Sequence, residues 1–219
     1  MTDPSDTSTP QPPAADQQVG RRVLPVQERA KRTVNQILET AAELVDEVGV
    51  IAFNTNLLAE RAGLRVRSIY RYFPNKLGIL SALLLHLNED SAGQLKMFAD
   101  LADPERDWRE LIDVWIQDLM EWTRERPGAR FVMGWSHGIP ELVTMQERID
   151  EEWAYNMARA MRARGVELPT KRLYAVCRSF SETLDSLSAL AASNPNKCSA
   201  EMIEEMRHML VRYLETYLD

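Results

Sequence analysis

Residues 54–76, NTNLLAERAGLRVRSIYRYFPNK, decide how this chain folds. They contain two short helical patterns joined by a tight turn at Gly63, since glycine adopts turn conformations at little steric cost. In the second pattern Ile69 and Phe73 are four residues apart and share an inward face, which leaves Arg67 outside. A helix fits the major groove of DNA when the helix before it crosses the backbone. The stretch is therefore typical of a helix-turn-helix DNA reader, and the alternative is an ordinary helical hairpin.

Helical patterns flank this stretch on both sides. From residue 27 to residue 48 apolar residues recur at three- and four-residue steps, which predicts an amphipathic helix that ends at Gly49. A third helix is predicted over residues 66–73 and closed by Pro74. Asn75 is then placed to cap a long fourth helix. These elements predict an N-terminal three-helix domain that a fourth helix connects to the rest of the chain.

The remaining sequence has helical periodicity and no credible strand pattern, so the predicted fold class is all-α. After a break at 101–104, helices are predicted at 105–126, 141–164, 170–193 and 199–218, with a short apolar segment at 129–135. Residues 1–20 are rich in Pro, Asp, Ser, Thr and Gln and predict a disordered tail. We therefore expect a tail at 1–20, a helix-turn-helix DNA-binding domain at 21–76 and a helical C-terminal domain at 77–219.

The charge of the chain is unevenly distributed. Its formal net charge is −7, which argues against a nucleic-acid partner when taken alone. Residues 21–76, however, contain ten basic and six acidic side chains, a net charge of +4 that leaves −11 elsewhere. Such asymmetry indicates a nucleic-acid-facing module joined to an acidic one.

Two cysteines, Cys177 and Cys198, form neither a disulfide framework nor a metal-binding spacing, which fits a reducing compartment. No apolar run approaches the roughly 20 residues that span a bilayer, and the N-terminus lacks the apolar core of a signal peptide. The expected location is cytoplasmic, with no membrane partner.

The helix-turn-helix stretch also resembles the N-terminal domain of the TetR (tetracycline-repressor-like) family of transcriptional regulators. The resemblance covers about residues 28–85, and its most specific part is the string YRYFPNK at 70–76. The matching residues are Leu58-Ala59, Ala62-Gly63-Leu64, Ser68-Ile69-Tyr70-Arg71-Tyr72-Phe73, Asn75-Lys76 and Leu80. The resemblance implies a DNA-binding regulator whose partner is a double-stranded, palindromic operator.

The start of the recognition helix departs from the family pattern. Arg65 stands where the family often has a serine cap, and Arg67 where it often has glycine. Arg67 can bind guanine in bidentate fashion, worth roughly 1–3 kcal/mol of discrimination, or it can bind phosphate, which adds affinity without sequence choice. From the family we carry over Thr55, Asn56, Tyr70, Tyr72 and Lys76 as backbone contacts. The candidate DNA-binding residues are Thr55, Asn56, Arg65, Val66, Arg67, Ser68, Tyr70, Arg71, Tyr72 and Lys76.

The last two predicted helices carry apolar stripes. One stripe is Leu173, Cys177, Phe180, Leu184, Leu187 and Ala191, and the other is Met202, Met206, Met209, Tyr213 and Tyr217. The stripes form either the core of one chain or a subunit interface. Two-fold dimers are the usual way to read paired half-sites, and the resemblance implies a homodimer through these two helices.

The resemblance further implies a small-molecule effector, bound by the preceding helices, that changes the spacing of the two DNA readers. We expect this effector to be apolar or aromatic because the C-terminal domain is rich in aromatic and sulfur-containing residues. The candidate lining is Trp115, Trp122, Phe131, Met133, Trp135, His137, Trp153, Met157, Tyr174 and Phe180, with core packing as the alternative for each. The expected output is repression, with activation or ligand-independent regulation as alternatives.

Two other functions compete with this interpretation. A helical-bundle metalloenzyme uses the Glu-x-x-His element twice, whereas this chain has one copy, Glu205 to His208, and only three histidines in total. No phosphate-binding loop and no nucleophile elbow is present. The sequence therefore predicts no enzyme, no catalytic or metal-binding residue and no cofactor. The second competitor is a protein-interaction module, which operator binding would exclude.

Overall fold

The structure is a computed structural model that describes residues 28–89, 92–193 and 200–218. In these residues the chain forms α-helices and two short irregular helical turns, and no strand is present. The α-helices are α1 (Glu28–Ala52), α2 (Thr55–Arg61), α3 (Val66–Tyr70), α4 (Lys76–Glu89), α5 (Ala92–Ala102), α6 (Trp108–Glu125), α7 (Pro140–Ala163), α8 (Thr170–Ser193) and α9 (Ala200–Leu218). The all-α prediction is confirmed. The predicted tail at 1–20 lies outside the described residues.

The N-terminal helices differ from their predicted lengths for local reasons. The chain leaves helical geometry at Gly49, where φ is 74° and ψ is 163°, but one more turn follows to Ala52. The Phe53 N–H closes that turn by donating to the Gly49 carbonyl at 3.1 Å, and the Phe53 ring is buried. Helix α3 ends at Tyr70 rather than at Phe73, although the N–H groups of Tyr72 and Phe73 still donate to the Ile69 carbonyl at 2.9 and 3.0 Å.

The fourth helix predicted from the sequence is observed as α4, which α5 follows, and residues 90 and 91 lie outside the described range. Between α6 and α7 the short apolar segment forms a wide π-helical turn, Phe131–Trp135, and a 3-10 turn, Ser136–Gly138. The remaining helices begin and end within three residues of the positions expected from their periodicity.

Two hydrophobic clusters hold these helices. The N-terminal cluster joins α1, α2, α3 and α4, with Ile37, Ile69 and Phe73 fully buried. Burying one such side chain contributes about 1.5–3 kcal/mol. Phe131 and Leu142, although distant in sequence, complete this cluster. The C-terminal cluster joins α5 to α9. The turn at 131–135 thus packs its first residues against α1 and α4.

Candidate nucleic-acid interface and effector cavity

Helices α2 and α3 form a tight helix-turn-helix unit. The Asn54 side chain caps α2 by accepting hydrogen bonds from the backbone N–H groups of Asn56 and Leu57, both at 3.0 Å. Gly63 adopts a left-handed φ of 64°, which glycine tolerates without a Cβ penalty. The turn then closes when the Leu64 N–H donates to the Ala59 carbonyl at 2.9 Å. These contacts fix the angle between the two helices.

The unit is also fixed to α1. The Gln36 side-chain amide donates to the Ala62 carbonyl at 2.9 Å, so the first helix holds the turn directly. The Arg61 guanidinium pairs with the Glu47 carboxylate at 2.7 Å on the surface. Exposed ion pairs contribute less than about 1 kcal/mol to stability. The main effect of this pair is that the charge of Arg61 is no longer available to a nucleic acid.

Arginines dominate the exposed face of α3. Arg65, Arg67 and Arg71 are all exposed, and among the described residues neither Arg65 nor Arg67 has an ion-pair partner. The Arg71 guanidinium lies 5.9 Å from the centre of the Tyr72 ring. Val66 and Ser68 are half-buried between these arginines. The face therefore presents uncompensated positive charge, which is the property that phosphate binding requires.

Arg65 occupies the N-cap position of α3 in an extended conformation, and its side chain makes no capping hydrogen bond. The side-chain cap that serine supplies in the family pattern is therefore absent at this position. The Ser68 N–H still donates to the Arg65 carbonyl at 2.7 Å, which closes the first turn through the backbone alone. The Arg65 side chain is exposed and therefore accessible to a bound partner.

Thr55 and Tyr70 link the two helices on their exposed side. The Thr55 hydroxyl and the Tyr70 hydroxyl lie 3.1 Å apart, across fifteen residues of sequence. Tyr70 remains 38% exposed, and Asn56 is exposed one residue after Thr55. These three candidate contacts are therefore brought together at one edge of the unit, beside the arginine face.

Tyr72 and Lys76 are placed differently from the other candidates. Tyr72 is only 7% exposed and belongs to the N-terminal cluster. The Lys76 ammonium donates to the Val50 carbonyl at 2.6 Å and to the Ile51 carbonyl at 3.3 Å, at the C-terminal end of α1. Asn75 accepts a hydrogen bond from the Gly78 N–H at 2.8 Å and so caps α4, as expected. The geometry favours structural roles for Tyr72 and Lys76.

A cavity of about 330 Å³ lies where the two hydrophobic clusters meet. It is bounded by α4, α5, α6, α7, α8 and the turn at 131–135. The lining residues are Leu85, Asn88, Phe98, Trp115, Leu119, Val132, Met133, Gln146, Ile149, Asp150, Glu152, Trp153, Asn156, Ser181, Leu184 and Asp185. Its volume is at the lower end of the range of about 300–1,000 Å³ seen for small-molecule sites.

The predicted effector residues divide into four groups. Trp115, Met133 and Trp153 line the cavity. Phe180 lies behind them, with its ring centre 5.9 Å from that of Trp115 and 6.2 Å from that of Trp153. Outside the lining, Trp122, Phe131, Met157 and Tyr174 are taken up by core packing, Tyr174 with its ring against Tyr155. The backbone of Trp135 and His137 belongs to the turns before α7, and their side chains are outside the described atoms.

The polar part of the lining was not among the residues predicted from the sequence. Gln146 and Asp150 are buried on α7, two turns and one turn before Trp153 respectively. Their spacing to Trp153 and Met157 follows steps of four, three and four residues, which is one helix face. That periodicity was the available signal. Apolar composition does not reveal these residues, because polar side chains on a buried stripe do not increase its apolar content.

A chain of hydrogen bonds crosses the wall of the cavity. The Ser136 hydroxyl donates to the Gln146 amide oxygen at 3.2 Å, and the Gln146 amide nitrogen donates to Asp150 at 2.8 Å. The Arg178 guanidinium lies 3.2 Å from the other carboxylate oxygen of Asp150 and also pairs with Glu182. This chain connects the 3-10 turn, α7 and α8. It provides hydrogen-bond partners for the buried side chains of Ser136, Gln146 and Asp150, which would otherwise be costly to bury.

The single Glu-x-x-His element on α9 is used differently from a metal site. The His208 ring nitrogen Nε2 accepts a hydrogen bond from Arg212 at 3.4 Å. Among residues 28–89, 92–193 and 200–218 no three His, Cys, Asp or Glu side chains are grouped so that they could hold a metal ion. In the same part of the chain, no helix combines the length and apolar character needed to cross a membrane.

Comparison with known proteins agrees with this architecture. Residues 37–83 match the family described as "Bacterial regulatory proteins, tetR family", and residues 107–214 match "Tetracyclin repressor-like, C-terminal domain". The fold and the helix-turn-helix unit thus define a DNA-binding regulatory protein with a helical C-terminal domain. The chain belongs to the tetR family of bacterial transcriptional regulators.

Individual relatives are moderately similar. The class A tetracycline repressor of transposon 1721 from Escherichia coli is 29% identical over 119 residues, which is 52% of this chain and about half, 51%, of that repressor. A TetR-family regulator from Streptomyces coelicolor is 26% identical, with a TM-score of 0.61 over 85% of this chain and 99% of that one. SmeT, a Stenotrophomonas maltophilia repressor of the multidrug efflux pump SmeDEF, shares the fold at 18% identity, a TM-score of 0.65 and coverage of 88% and 93%.

Proposed function

We propose that this protein is a cytoplasmic, dimeric repressor that binds a palindromic operator and leaves it when an apolar or aromatic small molecule occupies the cavity between its two clusters. The observation that carries the proposal is the position of that cavity. Its wall contains Leu85 and Asn88 of α4 together with Trp115 and Trp153 of the C-terminal domain. A ligand there touches both the DNA-reading half and the rest of the molecule.

Helix α4 supplies the mechanical connection. The C-terminal part of α4 carries Leu85 and Asn88, which line the cavity. Its first residue, Lys76, donates a hydrogen bond to the end of α1 and lies six residues after the end of α3. An α-helix is stiff along its axis, so displacement of one end by a ligand moves the other. Release then follows if the ligand binds the DNA-incompetent arrangement more tightly than the competent one.

The DNA contacts that we propose are the exposed candidates. Arg65, Arg67 and Arg71 supply charge, and Thr55 and Tyr70 supply hydroxyl groups beside them. Asn56, Val66 and Ser68 complete the set of groups that reach the surface of α2 and α3. Tyr72 and Lys76 are assigned to holding the unit together, for the reasons of burial and hydrogen bonding given above.

Dimerisation is proposed through α8 and α9. Leu173, Cys177, Phe180 and Leu184 of the first predicted stripe are buried within one chain, so that part of the stripe is intrachain core. The side chain of Ala191 at its end lies outside the described atoms. Large apolar residues nevertheless remain exposed on both helices, namely Leu190, Met202 and Met209. A paired copy of the two helices would cover them.

The proposal is tested with purified protein and DNA fragments selected for binding. Arg67→Ala should lower operator affinity and relax the preference at one base position, by about 1–3 kcal/mol if the contact is bidentate to guanine. The matched control is Arg124→Ala, which removes the same charge from an exposed site on α6 and should leave binding unchanged. Equal operator affinity and base preference in both variants and wild type would exclude Arg67 as an operator contact. If no fragment binds the protein at all, an interaction module is favoured.

A further inference from the structure

Helix α1 carries its charges in two separate groups. Its first five residues include three cations, Arg29, Lys31 and Arg32, and one acid, Glu28. Residues 37–52 of the same helix contain four acids and no cation. Lys31 pairs with Glu28 at 3.2 Å, whereas Arg29 and Arg32 are exposed and have no ion-pair partner among the described residues. The beginning of α1 therefore presents two uncompensated positive charges.

These two arginines, which we call the α1 strip, lie on the face of α1 that meets the helix-turn-helix unit. Two contacts mark this face, since Gln36 donates to a carbonyl of the turn and Glu47 pairs with the end of α2. At about 100° per residue, Arg29, Gln36 and Glu47 fall within about 20° of one another around the helix. Arg32 lies within about 60° of Arg29. The α1 strip thus continues the contact face toward the N-terminal end of the helix.

The α1 strip also lies to the side of the reader helix. At a rise of about 1.5 Å per residue, Arg32 and Arg29 are about 6 and 10 Å beyond Gln36 along the axis of α1. Gln36 is itself bonded to the turn that leads into Arg65 at the start of α3. A helix in the major groove, which is about 12 Å wide, has a sugar–phosphate backbone on each side. Side chains displaced sideways from α3 by such distances meet phosphates rather than bases.

We propose that Arg29 and Arg32 bind phosphates of the operator backbone beside the groove that α3 reads. The proposal rests on the proposed function and names further residues that hold its DNA partner. The segment that matches the tetR family begins at residue 37, so that match assigns no role to these arginines. Phosphates are the same at every base pair, so the α1 strip adds affinity without sequence choice.

The first experiment measures binding of the full-length protein to its selected operator and to an unrelated duplex, at about 50 and 200 mM salt. Arg29→Gln and Arg32→Gln should each weaken both duplexes by a similar factor and reduce the slope of log affinity against log salt by about 0.9. The loss should therefore be about threefold smaller at the higher salt. Unchanged affinity and slope would overturn the proposal, as would an altered preference at a single base position.

Lys31→Gln is the matched control for Arg32→Gln. It removes the same charge one residue away, but Lys31 is paired with Glu28 and lies about 140° from Gln36 around the helix. It should leave both affinities and the salt slope unchanged. If Lys31→Gln weakens DNA binding as much as Arg32→Gln, the effect belongs to overall charge and the α1 strip is wrong. An arginine variant that weakens binding only together with a lower urea midpoint of unfolding would assign the loss to folding, which also overturns the proposal.

The second experiment tests for direct contact with phosphate. Neutral methylphosphonates replace single phosphates in turn along the half-site and its flanks, and each duplex is titrated with wild type and with Arg32→Gln. At the phosphate that Arg32 contacts, the replacement should weaken wild type by about threefold or more and leave Arg32→Gln unaffected. Losses that add at every phosphate would show that Arg32 touches none of them.

The reader helix separates this inference from the function on which it rests. If Arg67→Ala weakens operator binding while both strip variants bind as wild type does, the reader stands and the α1 strip is wrong. If wild type binds no DNA fragment, the proposed function fails and the α1 strip fails with it.

Discussion

The backbone N–H of Gly128 donates a hydrogen bond to the carboxylate of Asp46 at 2.8 Å, joining two residues 82 positions apart. The other oxygen of Asp46 lies 3.6 Å from the Arg130 guanidinium. Through these contacts the loop before the π-helical turn is held against α1. Val132 and Met133 of that turn line the cavity. Under the proposed function, the Asp46 contact is therefore a second connection, besides α4, between the cavity and the helix-turn-helix unit.

Replacing Gly128 by alanine should weaken the hydrogen bond between the Gly128 N–H and Asp46. Gly128 has a left-handed φ of 83°, and an added Cβ would lie 2.8 Å from Leu87 Cδ1 and 3.1 Å from Ala42 Cβ. Backbone strain and overpacking together predict a loss of about 2–4 kcal/mol in the free energy of unfolding, measured by urea denaturation. Gly138→Ala is the control, because Gly138 has no left-handed φ and a Cβ added there would meet no atom within 4 Å. Equal stability of the two variants would contradict the role of Gly128.

A second prediction concerns Lys76. Its position in the family motif implies a contact with phosphate, but its ammonium group donates hydrogen bonds to backbone carbonyls of the protein itself. Lys76→Met keeps the aliphatic stem and removes both hydrogen bonds to the end of α1. The free energy of unfolding should fall by about 1.5–3 kcal/mol, and the dependence of operator affinity on salt should not change.

Lys31→Met is the comparison for Lys76, since Lys31 is an exposed lysine on α1 whose pair with Glu28 is weak. It should alter stability by less than about 0.5 kcal/mol. If Lys76→Met instead preserves stability and flattens the salt slope by about one, Lys76 contacts phosphate in the complex.

The different outcomes for Ile69 and Lys76 show what the sequence can predict. The burial of Ile69 follows from periodicity within five residues, so its inward face was predictable. The partners of Lys76 are carbonyl groups 25 and 26 residues earlier, which no local pattern specifies. The hydrogen bond between Asp46 and Gly128 joins residues 82 positions apart, and no local pattern specifies it either. For the cavity, aromatic composition predicted Trp115 and Trp153, whereas Asp150 required knowledge of how α7 packs on α8.

The buried thiol of Cys177 should make the protein sensitive to alkaline pH. Burial raises the pKa of this thiol from 9.0 to about 12, and burial also raises the pKa values of Tyr174 and Tyr213. Above pH 9 the thiol of the unfolded chain ionises while the folded one stays protonated, so the unfolded state is favoured as pH rises toward 12. The contribution of Cys177 is therefore fully present below pH 9 and is lost above it.

Cys177→Ala tests this pH dependence. The variant should be less stable than wild type at pH 7, because it loses buried volume, yet its free energy of unfolding should decline less between pH 9 and pH 11. Parallel declines in the two proteins would assign the alkaline loss to the tyrosines. In native wild type, Cys177 should also resist a thiol reagent at pH 8 until urea unfolds the chain, because thiolate is the reactive form.

The last prediction addresses the dimer. Met209 is 50% exposed on α9, and it follows Met202 by seven residues, so both lie on one helix face. If α8 and α9 pair with a second copy, Met209→Glu places a charge in the centre of an apolar interface and should convert the dimer to a monomer, as measured by sedimentation velocity. Operator affinity should fall strongly, because each subunit then reads only one half-site.

Val114→Glu is the matched control for Met209→Glu. Val114 is 55% exposed on α6, outside the proposed interface, and should accept the same charge without any change in mass or operator affinity. If Val114→Glu separates the subunits and Met209→Glu does not, the subunits meet through α6 rather than α9. If neither does, the interface excludes both exposed residues, and the assignment to the last two helices loses the observation that supports it.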